Sequence, residues 1–234
     1  MLDIGGESTR PGAERISAEA QIARVVPVIE AIRTQLPEIA ISVDTTLAPV
    51  ARRAIEAGAD AINDVSGAEE DDAMLDVASS TGAGLILMHR LAPPDRDAFS
   101  DQYDSAPRYE DVAETVRTYL ADRAELAQRA GVGKSSIVVD PGLGFGKSVE
   151  QNLELIRRTN ELCALGYPVM SAASRKSFVG RVGLERASDP SERLGGSVAV
   201  TMLHALAGAR LFRVHDVSEH AQALRVFSAI GTSD

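Results

Sequence analysis

The sequence predicts an α/β fold of the (β/α)8-barrel type. Apolar segments of strand length alternate with segments of helical period along the whole chain, which indicates parallel strands with helices packed against them. Polar side chains follow nearly every predicted strand, and in a parallel barrel these strand ends form one face, where active sites are built. At 234 residues the chain has the length of one barrel domain. We therefore expect a single domain over residues 1–234.

Seven segments have the length and apolar content of buried strands. They are residues 2–5, 40–43, 61–65, 85–88, 137–139, 168–170 and 211–214. A closed barrel of this type has eight strands, so the count of about seven is one short.

Helical faces with a period of 3.6 residues follow these strands. Ser17 is the predicted N-cap of the first helix, and Pro27 inside that pattern should kink the helix or mark its true start. Ser148 with Gln151 has the spacing of a capping box. The predicted helices cover residues 17–36, 47–55, 71–80, 112–126, 148–163, 195–207 and 217–227. Residues 90–108 contain Pro93-Pro94 and four aspartates, and are predicted to form a mobile loop.

The composition argues against several classes of protein. A net charge of −10 is not that of a nucleic-acid-binding protein, although a few basic side chains in a cleft can still attract a small anion. The chain has neither a run of eighteen apolar residues nor a signal-peptide pattern, so we expect a cytoplasmic protein with no membrane partner. The single Cys163 permits no internal disulfide and is expected to be a small core residue.

Residues 140–147, Asp-Pro-Gly-Leu-Gly-Phe-Gly-Lys, form a glycine-rich loop that fails both phosphate-loop patterns. A P-loop requires glycine where Pro141 stands, and the dinucleotide pattern requires glycine where Val149 stands. Three glycines within five residues allow a ligand to approach the backbone closely, with Asp140 at the start of the loop and Phe145 as an aromatic wall. A generic turn between strand and helix is the alternative, but it needs only one glycine.

Polar groups at the strand ends also have a plain alternative, since Asp, Asn and Ser often cap the following helix. The strand-end groups are Asp3, Asp44, Asn63, Asp64, His89, Asp140, Ser174, Lys176, Arg213, His215 and Asp216. Capping explains Lys176, Arg213 and His215 poorly, so the set favours a ligand site.

Two basic segments are candidates for anion binding. Residues 174–177 read Ser-Arg-Lys-Ser, for which a solvated charged turn is the alternative. Arg213 and His215 alternate along a strand and point to the same side, as a paired anion clamp requires. His215 alone would more often be structural, and His204 and His220 are interpreted as structural or exposed.

Seven segments together carry a family resemblance. They are residues 3–12, 42–45, 62–67, 87–89, 140–147, 174–178 and 213–217. In this order they resemble the dihydropteroate synthases of folate biosynthesis, and they cover the whole chain. The resemblance implies a pterin-binding TIM-barrel domain over residues 1–234. It also implies a transferase that joins 4-aminobenzoate to 6-hydroxymethyl-7,8-dihydropterin diphosphate, giving 7,8-dihydropteroate and pyrophosphate.

The resemblance also implies roles for particular residues. The pterin would be bound by Asp44, Asn63, Met88, Asp140, Phe145 and Lys176. The aminobenzoate would be bordered by Thr9, Arg10 and Ser177, and the pyrophosphate by Arg10, Arg213 and His215. The catalytic residues would be Arg10, Lys176, Arg213 and His215. The nucleophile is the amine of the substrate, so no catalytic Ser or Cys is needed.

The chain departs from the family at its start. The family's first βα unit and its Asn-Val-Thr-Pro-Asp-Ser-type loop are absent, so the chain begins inside the family's second strand. We expect a chain that is truncated at its N-terminus relative to the family, with a misplaced start and a real truncation as the two alternatives. Mg²⁺ is the expected cofactor, but the family's asparagine ligand lies in the missing loop and the metal ligands of this chain are unknown. The resemblance further implies a homodimer formed by helices late in the chain.

Two other functions are compatible with the same motifs. The first is a catalytically inactive homologue that binds the pterin. The second is a pterin-dependent methyltransferase on a related barrel. This function is less compatible with the sequence, because several residues fit aminobenzoate and pyrophosphate instead. They are Thr9, Arg10, residues 174–177 and the Arg213–His215 pair. Transfer of a methyl group from a methylated folate would identify the methyltransferase.

Overall fold

The computed structural model describes residues 1–231. These residues divide into two compact units. The first unit consists of Met1–Asp97 and Thr118–Val139, and the second of Ala98–Arg117 and the described residues from Asp140 onward. The expectation of a single domain stays a prediction.

All seven predicted strands are present in residues 1–231, with bounds shifted by a few residues. They are β1 (Leu2–Gly5), β2 (Ile41–Asp44), β3 (Ala61–Asp64), β4 (Gly84–Met88), β5 (Ile137–Asp140), β6 (Met170–Ser171) and β7 (Leu211–Phe212). The first five form one sheet in chain order, and β6 pairs with β7 in a second sheet. The pairs β1–β2, β2–β3, β3–β4 and β6–β7 are parallel. Parallel strands in chain order bring their carboxyl ends to one edge of a sheet.

The α-helices connect these strands. They are α1 (Ala18–Gln35), α2 (Ala48–Glu56), α3 (Met74–Thr81), α4 (Val112–Arg129), α5 (Val149–Arg157), α6 (Thr159–Cys163), α7 (Ser177–Leu184), α8 (Leu194–Leu206) and α9 (Val217–Gly231). Within residues 90–108, the only regular element is one 3-10 turn at Pro94–Arg96. The predicted loop is confirmed, and its mobility stays a prediction.

The helix caps are formed by the residues that the sequence indicates. The Ser17 side chain accepts a hydrogen bond from the Ala20 N–H, and α1 continues through Pro27, so the alternative start at Pro27 is wrong. The cap at Ser17 satisfies an N-terminal N–H donor of the helix, so α1 begins more than two turns before Pro27. Ser148 and Gln151 form both bonds of a capping box at α5.

Helix α7 is absent from the prediction because glycines interrupt its helical pattern. Gly180 lies inside α7, and glycine weakens a helix interior. A Cβ at position 180 would lie 2.3 Å from Ser188 Oγ and 2.6 Å from Arg193 Nε, so only glycine fits there. Tertiary packing therefore explains a residue that local propensity disfavours.

The core of the first unit is formed by its central strands. Ile41, Val43, Ile62, Leu85 and Leu87 are all fully buried. Every residue of β2 is buried, and strands that are buried on both faces are typical of parallel sheets. The rigid strands leave their polar carboxyl-terminal residues in fixed positions.

The capping box of α5 provides a test of local stability. We expect Ser148→Ala to lower the free energy of unfolding by about 1 kcal/mol, because the Gln151 N–H loses its acceptor. Urea denaturation measures this change. Ser218→Ala, at an exposed position of α9, serves as the control and should change stability by less than about 0.5 kcal/mol. Equal effects of the two substitutions would contradict the capping role.

Candidate functional site

The first unit collects polar side chains at the carboxyl ends of its strands. Ser42 Oγ donates to Asp3 Oδ1 at 2.6 Å, and Asn63 Nδ2 donates to Asp3 Oδ2 at 3.2 Å. Asp44 is buried and lies opposite Asn63 in the β2–β3 register. Within the described residues, the buried Asn63 Oδ1 has no hydrogen-bond partner. Met88, also buried, ends the next strand. A buried acceptor without a donor is a position suited to a ligand N–H.

Thr9 and Arg10 lie in the loop that follows β1. Thr9 is half-buried and Arg10 is exposed. Glu7 closes this loop: its Oε1 accepts from the Ile16 N–H at 2.6 Å, and its Oε2 lies 3.1 Å from Arg15 Nε. The loop is therefore held at its base and presents Arg10 to solvent.

A network of charges extends from this loop to the neighbouring loops of the first unit. Arg15 NH1 lies 2.8 Å from Glu70 Oε1, and Arg90 also pairs with that oxygen. Burial opposes ionisation of Glu70, but the hydrogen bonds from Arg15 and Thr46 and the charge of Arg90 lower its pKa to about 2. Glu70 is therefore ionised at neutral pH, and it links segments that follow β1, β3 and β4.

Asp64 is a fully buried carboxyl group at the end of β3. Burial raises its pKa to about 6, although Ser66 opposes this by donating its N–H at 2.7 Å and its hydroxyl at 2.6 Å to Asp64 Oδ1. These bonds order the turn that follows β3. Asp64 therefore has a structural role that its position in the sequence does not reveal.

The glycine-rich loop of the second unit is fixed by a buried lysine. Gly142, Gly144 and Gly146 all have positive φ, of 66°, 82° and 65°. Lys147 has 0% of its surface exposed, and its Nζ donates to Gly142 O at 3.0 Å and to Phe145 O at 2.8 Å. The ammonium group thus satisfies two carbonyls of the loop from within. The sequence predicts a loop that contains Lys147, but its pattern does not indicate that this lysine is buried.

Lys176 lies against the same loop. It directly precedes α7, and its Nζ donates to Leu143 O and lies 4.5 Å from the centroid of the Phe145 ring. This is the geometry of a cation–π contact. A Cβ at Gly144 would come within 3.0 Å of Lys176 Cδ, so glycine at this position gives the lysine its room.

Asp140, at the end of β5, is the electrostatic centre of the second unit's site. Asp140 is only 2% exposed, and burial raises the pKa of its carboxyl group. The charges of Lys176, Arg213 and Lys147 oppose that rise. Burial also lowers the pKa of Lys176 to about 8, while Asp140 acts to raise it. The site therefore pairs a buried carboxyl group with several cations.

Arg213 and His215 lie just beyond β7, which is shorter than predicted. Both residues are exposed. Ser174 Oγ accepts from the His215 N–H at 3.2 Å and lies 3.1 Å from His215 Nδ1. Ser177 is the half-buried first residue of α7. The segments after β6 and β7 are thereby joined, and their common role in anion binding stays a prediction.

His204 and His220 have structural positions. His204 and His220 are both buried, so the alternative of an exposed His220 is wrong. His204 Nδ1 lies 2.6 Å from Ser171 Oγ, and burial lowers the pKa of His204 to about 4. Cys163 is half-buried, and burial raises the pKa of its thiol, which disfavours the reactive thiolate.

The chain is similar to known proteins in both sequence and structure. Residues 1–215 match the family model of pterin binding enzymes. Dihydropteroate synthase of Synechocystis sp. is 42% identical over 230 residues, covering 98% of this chain and 76% of that protein. Xanthomonas albilineans dihydropteroate synthase with 4-aminobenzoic acid superposes with a TM-score of 0.89 at 39% identity, covering 100% of this chain and 80% of that one. The same enzyme in complex with 7,8-dihydropteroate gives 0.86 at 36% identity, covering 100% and 82%.

Lys147 offers a test of the glycine-rich loop. We expect Lys147→Met to lower the free energy of unfolding by about 2 kcal/mol, because it leaves the carbonyls of Gly142 and Phe145 without their buried donor. Denaturant titration measures the loss. Lys134→Met, at an exposed position, is the matched control and should have little effect. A Lys147→Met protein as stable as this control would contradict the structural role of the ammonium group.

Proposed function

The chain belongs to the dihydropteroate synthase family of pterin-binding enzymes, and we propose that it joins 4-aminobenzoate to 6-hydroxymethyl-7,8-dihydropterin diphosphate. The products are 7,8-dihydropteroate and pyrophosphate, so the chain is a transferase of folate biosynthesis. Its fold belongs to the α/β TIM-barrel class that the sequence predicts. The observation that carries the proposal is the buried Asp140 coupled to Lys176 and Arg213 at the end of β5.

Pterin recognition requires acceptors that face an edge of N–H donors. In the second unit, Asp140 is the acceptor we assign to the amidine-like edge of the pterin, because a carboxylate accepts two parallel hydrogen bonds. In the first unit, Asn63 Oδ1 is a buried acceptor without a partner among the described residues. Asp44, buried beside it, is assigned to the same ligand.

The pterin ring also requires apolar surfaces and a donor. Phe145 supplies an aromatic face in the second unit, and Met88 a buried apolar side chain in the first. We assign Lys176 Nζ to a ring heteroatom of the pterin. In the absence of a ligand, this ammonium group donates to Leu143 O, so its position is already defined.

The reaction substitutes one bond for another at the methylene carbon of the pterin. The amine nitrogen of aminobenzoate attacks this carbon, a C–N bond forms, and the C–O bond breaks with its electron pair leaving on pyrophosphate. The amine then loses its proton to solvent. Negative charge grows on the leaving group, so nearby cations lower the barrier. We assign this role to Arg10, Arg213 and His215.

The exposure of Arg10, Arg213 and His215 supports their assignment to a leaving group that departs into solvent. Thr9 and Ser177, both half-buried, are assigned to the border of the aminobenzoate. No protein nucleophile takes part in this scheme, which agrees with the structural position of Cys163.

Mg²⁺ is a proposed cofactor of the reaction. Among residues 1–231, no group of three His, Cys, Asp or Glu side chains is arranged to hold a metal ion. The described residues therefore do not supply a site by themselves. A turnover rate unchanged by chelation with EDTA would contradict a need for Mg²⁺.

We further propose a cytoplasmic homodimer. None of the helices in residues 1–231 has the length and hydropathy to span a bilayer. The apolar side chains of Leu203, Leu206, Val226 and Ile230 on α8 and α9 are exposed, and such patches often mark protein interfaces. Sedimentation of the purified chain as a monomer would contradict the dimer.

The test of the proposed function is a reaction with both substrates. We expect the purified chain to convert aminobenzoate and the pterin diphosphate, in the presence of Mg²⁺, into equal amounts of dihydropteroate and pyrophosphate. The Asp140→Asn variant should form neither product. Pterin binding without pyrophosphate release would instead identify an inactive homologue. Methyl transfer from a methylated folate would identify the methyltransferase.

Lys176 is the residue whose removal should affect pterin binding most directly. We expect Lys176→Ala to abolish pterin binding, because the ligand loses a donor and Asp140 loses the charge that opposes the rise of its pKa. Isothermal titration calorimetry measures the affinity, with Lys134→Ala as the surface control. Unchanged affinity of Lys176→Ala would refute this role.

Lys176 also predicts a pH dependence. Its pKa of about 8 lies below the ordinary value of 10.5, so the ammonium form predominates below that pH and is lost as the pH rises through it. Pterin affinity should therefore fall above pH 8. In Lys176→Arg, whose guanidinium stays protonated, the residual affinity should not decline in this range. A wild-type affinity that stays constant up to pH 10 would contradict the prediction.

A further inference from the structure

Arg175 has a backbone conformation that is unusual for its residue type. Its φ is +61°, in the left-handed region that favours glycine. An L-residue with a side chain is strained in this region, so the surrounding structure has to impose it. The strained residue stands directly before Lys176, whose ammonium group the proposed function assigns to the pterin.

Contacts from the segment that starts α8 hold the backbone of Arg175 on both sides. The Arg175 N–H donates to Ser197 Oγ at 2.9 Å, and Arg193 NH1 donates to the Arg175 carbonyl at 2.8 Å. The Arg175 side chain in turn forms a two-point ion pair with Asp216, with Nε lying 2.9 Å from Oδ2. The backbone N–H, the backbone carbonyl and the guanidinium group of Arg175 therefore each have a partner.

The two residues that hold this backbone are themselves fixed in place. Ser197 is fully buried, and its hydroxyl donates to Arg193 O at 2.7 Å. Arg193 Nε donates to Ser188 Oγ at 3.0 Å. Gly180 of α7 leaves the space through which the Arg193 side chain passes. This arrangement forms a rigid clamp on Arg175, made by Arg193 and Ser197.

The clamp determines the direction of Lys176. The Lys176 N–H donates to Ala173 O at 3.2 Å, so residues 173–176 form a tight turn around Arg175. A change of φ at Arg175 would rotate the chain that follows it and move Lys176 away from Leu143 O and the Phe145 ring. Ser174, on the other side of Arg175, contacts His215 and would move as well.

We infer that Arg193 and Ser197 are positioning residues of the active site, which hold Arg175 in its left-handed conformation and thereby orient Lys176 toward the pterin. Neither residue is assigned a contact with substrate. This inference rests on the proposed function, because it concerns the orientation of a residue that binds the pterin. It adds a remote segment of the chain to the determinants of pterin affinity.

The experiment compares single substitutions in two backgrounds. In the wild-type background, Arg193→Ala and Ser197→Ala should each raise the dissociation constant of the pterin diphosphate about tenfold, the factor that corresponds to the cost of a left-handed residue. Arg186→Ala is the control, because Arg186 is exposed, lies in the same segment and pairs with Glu192. It should leave the dissociation constant unchanged.

The second background is Arg175→Gly, since glycine adopts the left-handed conformation without steric cost. There, Arg193→Ala and Ser197→Ala should raise the dissociation constant by less than threefold. A merely structural role would produce equal effects in both backgrounds, and that result would overturn the inference. If Arg193→Ala fails to fold, Ser197→Ala, which removes a single oxygen atom, decides the question.

The two proposals fail in different ways. A wild-type chain that binds no pterin would overturn the proposed function and the inference together. A wild-type chain that binds the pterin and makes dihydropteroate, with Arg193→Ala and Ser197→Ala binding equally well, would overturn the inference alone.

Discussion

The site in the second unit depends on a carboxyl group that is buried at the end of β5. Burial disfavours the ionised form of Asp140 and raises the pKa of its carboxyl group, and the cations around it oppose that rise. An unpaired buried charge is costly, so these cations must be held in place by other parts of the chain. The glycine-rich loop holds Lys147 through its carbonyls, and the turn around Arg175 holds Lys176. Loop geometry and electrostatics are thus parts of one arrangement, which holds a buried carboxyl group and the ammonium group of Lys176 in defined positions.

In the first unit, the strands themselves position the polar side chains, without a glycine-rich loop. Asp3 on β1 pairs in register with Ser42 on β2, and Asn63 lies on the next strand, β3. The Asp3 carboxylate accepts hydrogen bonds from both side chains. The arrangement leaves Asn63 Oδ1 buried without a donor among the described residues, which has a cost unless a ligand supplies one. The buried acceptor therefore supports a role in binding more strongly than it supports a role in folding.

The sequence predicts what is determined locally. The strands and the capping box at Ser148 follow from apolar runs and from side chains three residues apart, and both are confirmed. Helix α7 could not be predicted in this way, because Gly180 is explained only by the approach of Arg193. The roles of the candidate site residues are implied by the family resemblance. The burial of Lys147 and the clamp on Arg175 could not be predicted, because both depend on contacts between distant segments. Such contacts are set by tertiary packing, which residue spacing does not encode.

The coupling between Asp140 and Lys176 in binding the pterin is the central claim, and a double-mutant cycle measures it. Calorimetry of the wild type, Asp140→Asn, Lys176→Arg and the double variant gives the interaction energy of the two side chains, since Lys176→Arg is expected to keep a residual affinity. We expect a coupling of at least about 1 kcal/mol, because each residue maintains the orientation that the other needs. Additive effects, within about 0.3 kcal/mol, would contradict it.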